Sequence, residues 1–472
     1  MAPLPSFMKR AISALVCSAL VLPAHADRTA RVVWPEPQPA PPSTPNFRAP
    51  SATSCDRPVE AHVIPGQRQQ QQTGALERAA PDVWVTGSAR ARVAEPAARD
   101  EAVAEAKLAA PRPALPIAGS PQPAQQAVPQ LAETVTAGVV DDNANFGDYL
   151  AFRARTQVPH RERDVSQRYL LEVKDASGHG VPDAEVAVNS ASGAAMWART
   201  DTAGHVWLHP DAFDTAHAGS YQVTVRKAGQ QTSTTLRRGQ KSAVELRLDV
   251  APASQQARLD LVFMVDATGS MGDEIDKLKS SLQAMVSQIS QLPSRPDICL
   301  GLVAYRDRVD EFLVKSHDLS NDVPGFQRAL NSLVASGGGD YPEDMNAAFK
   351  ETVQNISWRN EGATRLVVLL ADAPPHLDYG GTQYDESMMS ALGKGIKVFS
   401  VGASGLDKQG EYIQRQIAQY TGGRFVFLTY KDARKPGSGP GRETVHDVQN
   451  YSVETLDKLV VRLVSQELAA LH

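Results

Sequence analysis

Cysteine is scarce in this chain: three in 472 residues, Cys17, Cys55 and Cys299, far apart and without CxxC or zinc-type spacing. A disulfide scaffold and a thiolate metal site are thereby excluded. An excess of one charge is missing too, because 53 acidic residues face 48 Lys plus Arg for a net charge of -5. That balance excludes a generic polyanion binder, so no nucleic-acid partner is expected. After the first 26 residues no stretch has 18 consecutive apolar residues, and no transmembrane segment is expected in the mature chain. What is present is length enough for two or three domains.

Composition divides the chain. Met1 to Ala26 carries Lys9 and Arg10, then an apolar run from Ala11 to Leu22, and ends Ala24-His25-Ala26. This layout predicts a secretory signal peptide cleaved after Ala26, and a secreted or periplasmic protein. A lipoprotein reading through Cys17 is disfavoured by the bulky Val16. Residues 27–140 hold roughly half of the 32 prolines, with Pro35 to Pro42 and Gln69 to Gln72 as the most biased tracts. Such sequence buries too little apolar surface to offset its ordering entropy, and a disordered spacer is predicted. Trp34 and Val83-Trp84-Val85 are apolar islands in it. With Cys55 in this tract and Cys299 in a predicted strand, two unpaired thiols are expected.

A lead-in of residues 141–165 is followed by an all-β unit over residues 166–250. Short runs at Tyr169–Val173, Glu185–Val188, His205–Leu208, Tyr221–Val225 and Val244–Leu248 alternate with turn sequences such as Asp201-Thr202-Ala203-Gly204. They predict a small antiparallel sandwich. The segment Val173 to Val186 with Thr200 to Gly204 resembles the carboxypeptidase-regulatory or transthyretin-like sandwich family, which implies a non-catalytic module. His205, His209 and His217 have no carboxylate or cysteine at metal spacing and read as surface histidines.

From residue 258 to the end the period changes. Leu261 to Val265 is a continuous apolar run, as a parallel strand covered on both faces requires. Ile275, Leu278, Leu282, Met285, Val286, Ile289 and Leu292 then form one helical stripe. Strands at Ile298–Tyr305, Leu366–Ala371, Ile396–Val401 and Phe425–Leu428 alternate with helices at Phe326–Leu333, Met345–Val353, Glu386–Leu392 and Tyr412–Tyr420. A loop, 431–451, precedes a terminal helix over 452–470. The pattern is that of a doubly wound α/β domain, so the expected architecture is multidomain: spacer, β-sandwich, α/β domain.

Ligands of such a sheet bind beyond the carboxyl ends of its strands. Three loops there carry oxygen donors: Asp266-Ala267-Thr268-Gly269-Ser270, the Gly337-Gly338-Gly339-Asp340 loop with Glu343 and Asp344, and Asp372 before Ala373-Pro374-Pro375-His376. Carboxylates and hydroxyls without thiolates suit a hard divalent cation. In these loops the sequence resembles the von Willebrand factor A family and its metal-ion-dependent adhesion site. The resemblance implies Asp266, Thr268, Ser270, Asp340 and Asp372 as ligands of Mg2+, with Ca2+ or Mn2+ as alternatives. Asp340 stands where the adhesion receptors carry threonine, which adds negative charge beside the ion.

A non-enzymatic, adhesion-type binding protein that engages a protein partner through the cation is the leading expectation. A metal-dependent hydrolase is the alternative, with His376, Glu343 and Asp307 as its candidates; a scaffold with a structural metal is the third. Gly269-Ser270-Met271-Gly272 is no nucleophile elbow, and Gly337-Gly338-Gly339 lacks the Lys of a P-loop. Read as an EF-hand, Asp266 to Lys277 puts Lys277 where the bidentate Glu belongs. His376 is expected to cap its Pro-Pro loop, and Glu343 with Asp344 to open a helix.

Overall fold

The computed structural model describes residues 54–68, 134–251, 256–339, 341–360 and 362–469. The expected signal segment, both apolar islands of the spacer and Asp340 lie outside the described residues.

A nine-stranded mixed sheet organises the C-terminal half. Its order is β1 (Ala61–Pro65), β12 (Phe312–Ser320), β11 (Asp297–Tyr305), β10 (Arg258–Asp266), β13 (Ala363–Ala371), β14 (Ile396–Gly402), β15 (Arg424–Thr429), β2 (Thr136–Val140) and β16 (Val453–Thr455). The run from β11 to β15 is parallel, and β10 lies between β11 and β13. Both faces of β10 are covered, which explains its unbroken apolar sequence. Leu259, Leu261, Phe263 and Val265 pack with α2 (Gly272–Ser290), α3 (Val323–Asn331) and α7 (Leu456–Ala469). Val262 and Met264 share the other core with α4 (Met345–Gln354), α5 (Tyr384–Gly393) and α6 (Lys408–Tyr420). The two-residue alternation of a strand therefore assigns each side chain to one helix layer.

The all-β unit has two sheets, β6 (His205–Leu208)–β3 (Tyr169–Lys174)–β9 (Val244–Arg247) and β5 (Ala195–Arg199)–β4 (Glu185–Ser190)–β7 (Ser220–Lys227)–β8 (Gln230–Arg237). It is not wholly antiparallel: β3 pairs with β9 in parallel. Its buried residues, Leu171, Val186, Val223 and Leu236 among them, form one continuous core with α5 and α6 of the α/β domain. Polar groups fasten the same junction. Asp183 accepts from Arg365 Nη1 at 2.9 Å, Arg199 Nη1 at 3.1 Å and Gly362 N at 2.8 Å. Thr202 donates to Glu467 O, and Lys397 reaches both Glu467 and Asp201. The lead-in forms α1 (Phe146–Arg155), whose Phe152 meets Tyr412 and lies under the Arg415 guanidinium at 3.8 Å.

Several expectations are corrected. The predicted spacer supplies two strands of the main sheet: β1 covers the edge of β12, and β2 pairs with β15. Val63-Ile64 and Val139-Val140 are short apolar pairs, and an open sheet edge orders the segments that carry them where their flanking composition would not. Cys55 and Cys299 are not free thiols but a disulfide, with Cα atoms 6.0 Å apart, tying this N-terminal segment to β11. His209 is not on the surface; it is fully buried and stacks on Tyr420 at 5.1 Å. The terminal helix begins at Leu456, because Val453–Thr455 pairs with β2.

Candidate metal centre

Asp266 is the last residue of β10, opposite Tyr305 at the end of β11. Its Oδ1 accepts from Thr268 N at 3.0 Å and from Thr268 Oγ1 at 2.7 Å, and Thr268 Oγ1 lies 3.0 Å from Ser270 Oγ. This turn gathers one carboxylate and two hydroxyls within five residues. Asp372 follows β13 directly. Asp266, Thr268 and Asp372 are buried, whereas Ser270 is exposed at the rim.

The second loop is held against the first by backbone. Gly269 N donates to Gly337 O at 3.0 Å, Ser336 N donates to Ala267 O at 3.1 Å, and Gly338 N donates to Asp310 Oδ2 at 2.8 Å. Gly337 and Gly338 have φ of 80° and 71°, a region that favours glycine. A Cβ on Gly338 would also stand 2.8 Å from Glu343 Oε1 and 3.2 Å from Thr268 Cβ. The third loop joins through Glu343 N donating to Pro374 O at 3.1 Å and His376 N donating to Glu343 O at 3.2 Å. Three chain segments thus meet at this end of the sheet.

The carboxylates of these loops are buried and perturbed. Burial, and then the charge of Asp372, push the Asp266 carboxyl up to about 7. Burial also raises Asp372, against the opposing hydrogen bond from Ser270. Burial and the neighbouring Asp266, Asp372 and Glu343 hold the Tyr305 hydroxyl protonated. Asp266 Oδ2 and Asp372 Oδ1 are buried and have no hydrogen-bond partner among the described residues. Orphaned buried carboxylate oxygens carry a large desolvation cost that a bound cation would remove. Oxygen-only donors fit Mg2+ or a comparable hard ion. Among the described residues no three His, Cys, Asp or Glu side chains form a metal cage; the donors present are two carboxylates and two hydroxyls.

His376 stacks on Tyr379 at 3.7 Å, with Nδ1 3.0 Å from Asp378 and Nε2 3.7 Å from Asp307. Tyr379 Oη donates to the buried Asp307 at 3.3 Å. Only Asp344 caps α4, accepting from Ala347 N; Glu343 lies before the cap and is buried against the third loop. Sequence reasoning missed Asp310, which cradles the glycine loop, and Glu274, which accepts from Tyr430 Oη and Ser404 beside Asp372. Neither lies in a recognisable motif, and only the folded chain brings them to the site.

Residues 260–434 match the family model of the von Willebrand factor type A domain. The α/β unit is therefore a domain of that type. The chain is 31% identical over 163 residues to alpha-protein kinase vwkA of Dictyostelium discoideum, covering 34% of this chain and 25% of that protein. It is 26% identical over 236 residues to integrin beta-4 of Homo sapiens, covering 43% of this chain and 12% of that protein. With von Willebrand factor A domain-containing protein 7 of Mus musculus it shares 35% over 103 residues, 20% of this chain and 10% of that protein. The chain spans a quarter or less of each of these relatives. Among the described residues no helix is long and apolar enough to cross a membrane.

Proposed function

We propose that this protein is a non-enzymatic binding protein that captures a protein partner through a divalent cation, Mg2+ first, held by Asp266, Thr268, Ser270 and Asp372, with Asp340 completing the set. The observation that carries the reading is the pair of buried, unpartnered oxygens, Asp266 Oδ2 and Asp372 Oδ1, beside a hydroxyl that reaches solvent. A purely structural ion needs no exposed donor; an ion at a rim keeps a position for a partner's oxygen. Exposed Val309, Val334 and Tyr341 lie on the loops flanking this rim and offer the apolar contact that a protein interface uses. Similarity to an integrin subunit supports the binding reading. The disulfide supports export to an oxidising compartment, periplasmic or extracellular.

The test is capture of a partner by the mature chain with and without chelator, repeated with Asp266→Ala and Asp372→Ala. Lost capture with intact melting supports binding. Loss of folding supports a structural ion, and metal-dependent turnover of phosphate or peptide substrates supports the hydrolase.

A further inference from the structure

The outer face of the sheet β5-β4-β7-β8 carries a chemistry that the ion site does not use. Val186, Val188, Val223 and Val225 turn to the core, so Asn189, Gln222 and Thr224 occupy the opposite face. The register sets Asn189, Gln222 and Thr235 abreast across β4, β7 and β8. Thr224 is abreast of Ser233, with their hydroxyl oxygens 2.9 Å apart. Here lies a depression of about 340 Å³ whose lining side chains are all uncharged. The absence of charge there argues against an ionic ligand, and the hydroxyls and amides of Asn189, Gln222, Ser233 and Thr235 suit a ligand that carries its own hydrogen-bonding groups.

A second observation marks this face as a site rather than a solvated surface. Asn189 is only 8% exposed, and its Nδ2 donates to no group among the described residues. A buried amide donor left without an acceptor is costly, and an acceptor oxygen brought by a ligand removes that cost. Backbone groups of β4 and β7 are already paired within the sheet on both sides, so at these two strands only side chains are available to a ligand.

We propose that this face binds a neutral saccharide, with Asn189 Nδ2 donating to a sugar oxygen and Gln222, Ser233 and Thr235 exchanging hydrogen bonds with neighbouring hydroxyls. The site is independent of the cation. Calorimetric titration of the full chain in EDTA with maltohexaose, cellohexaose and chitohexaose tests it. At least one of the three should bind, with Kd raised tenfold or more by Asn189→Ala and at least threefold by Gln222→Ala, and unchanged by Asp266→Ala. Gln222 is partly exposed, so its variant keeps the test available if Asn189→Ala fails to fold. The proposal is overturned if none of the three saccharides binds, if an uncharged Gly-Ser peptide binds in their place, or if binding survives unchanged in the variants that fold.

Discussion

Replacing His209 with phenylalanine should stabilise the protein, and more strongly in acid than at neutral pH. The imidazole lies between β6 and the short turn Pro210–Ala212, fully buried and stacked on Tyr420 of α6, and neither ring nitrogen has a hydrogen-bond partner among the described residues. Burial, reinforced by the charges of Arg168 and Arg153, pushes its pKa down to about 3 from the usual 6.5. The folded state therefore keeps the ring neutral while the unfolded chain protonates it below about 6.5. The associated stability is fully present above that pH and is lost as pH falls toward 3. A tenfold difference in proton affinity between the two states is worth about 1.4 kcal/mol, so the loss reaches roughly 2–3 kcal/mol at pH 4.5 and on the order of 4 kcal/mol in stronger acid. Phenylalanine keeps the stacking surface and removes the titration. It also removes two unpaired nitrogens, a gain of about 1 kcal/mol at neutral pH. Urea unfolding of both proteins at pH 7.5 and pH 4.5 isolates the effect, because every other titrating group is common to the two. The advantage of the variant should grow by roughly 2 kcal/mol between these conditions. Equal acid sensitivity of the two proteins would refute the reasoning.

Three further outcomes are expected. Asp183→Ala strips the carboxylate from the buried Arg365 guanidinium at the junction of the two folded units, and should cost about 3–5 kcal/mol in denaturant unfolding. Burial alone would raise this carboxyl, but Arg365 and Arg199 together hold it down at about 2, so its contribution should persist above pH 3.8 and fade below. Reducing Cys55–Cys299 opens a link across 244 residues and should lower stability by about 2–5 kcal/mol, with an Ellman titration of the denatured protein rising by two thiols on reduction. Gly338→Ala forces a methyl against Glu343 and Thr268 at a positive φ, and should weaken Mn2+ binding at least tenfold in calorimetry, whereas the open Gly380→Ala should leave it unchanged.

The α/β half was legible because its signals are strong and local. Five apolar residues in β10 leave no polar face for solvent, and the stripe from Ile275 to Leu292 admits only a helix. Elements held mainly by their neighbours were not legible. β8 reads Gln-Gln-Thr-Ser-Thr-Thr-Leu-Arg and is a strand because it pairs along the whole of β7. β12 mixes Lys315, His317 and Asp318 into its run; His317 is buried where β1 covers the outer edge, and Asp318 where Arg57 pairs with it. β1 and β2 were submerged in the average composition of the proline-rich region. At the candidate centre, the order of the three loops pointed to Asp266, Thr268, Ser270 and Asp372. Asp310 and Glu274 were invisible, since a carboxylate that holds a loop carries no spacing of its own. His209 was misjudged because nothing in its neighbours in sequence announces the ring of Tyr420.

The central claim, that Asp266 and Asp372 with their hydroxyl partners hold a divalent ion, is tested most directly by counting Mn2+ bound per chain at equilibrium in the wild type and in Asp266→Ala/Asp372→Ala. The account predicts one ion in the wild type, displaced by Mg2+, and none in the double variant. An equal stoichiometry in both proteins, or no ion in either, would contradict it.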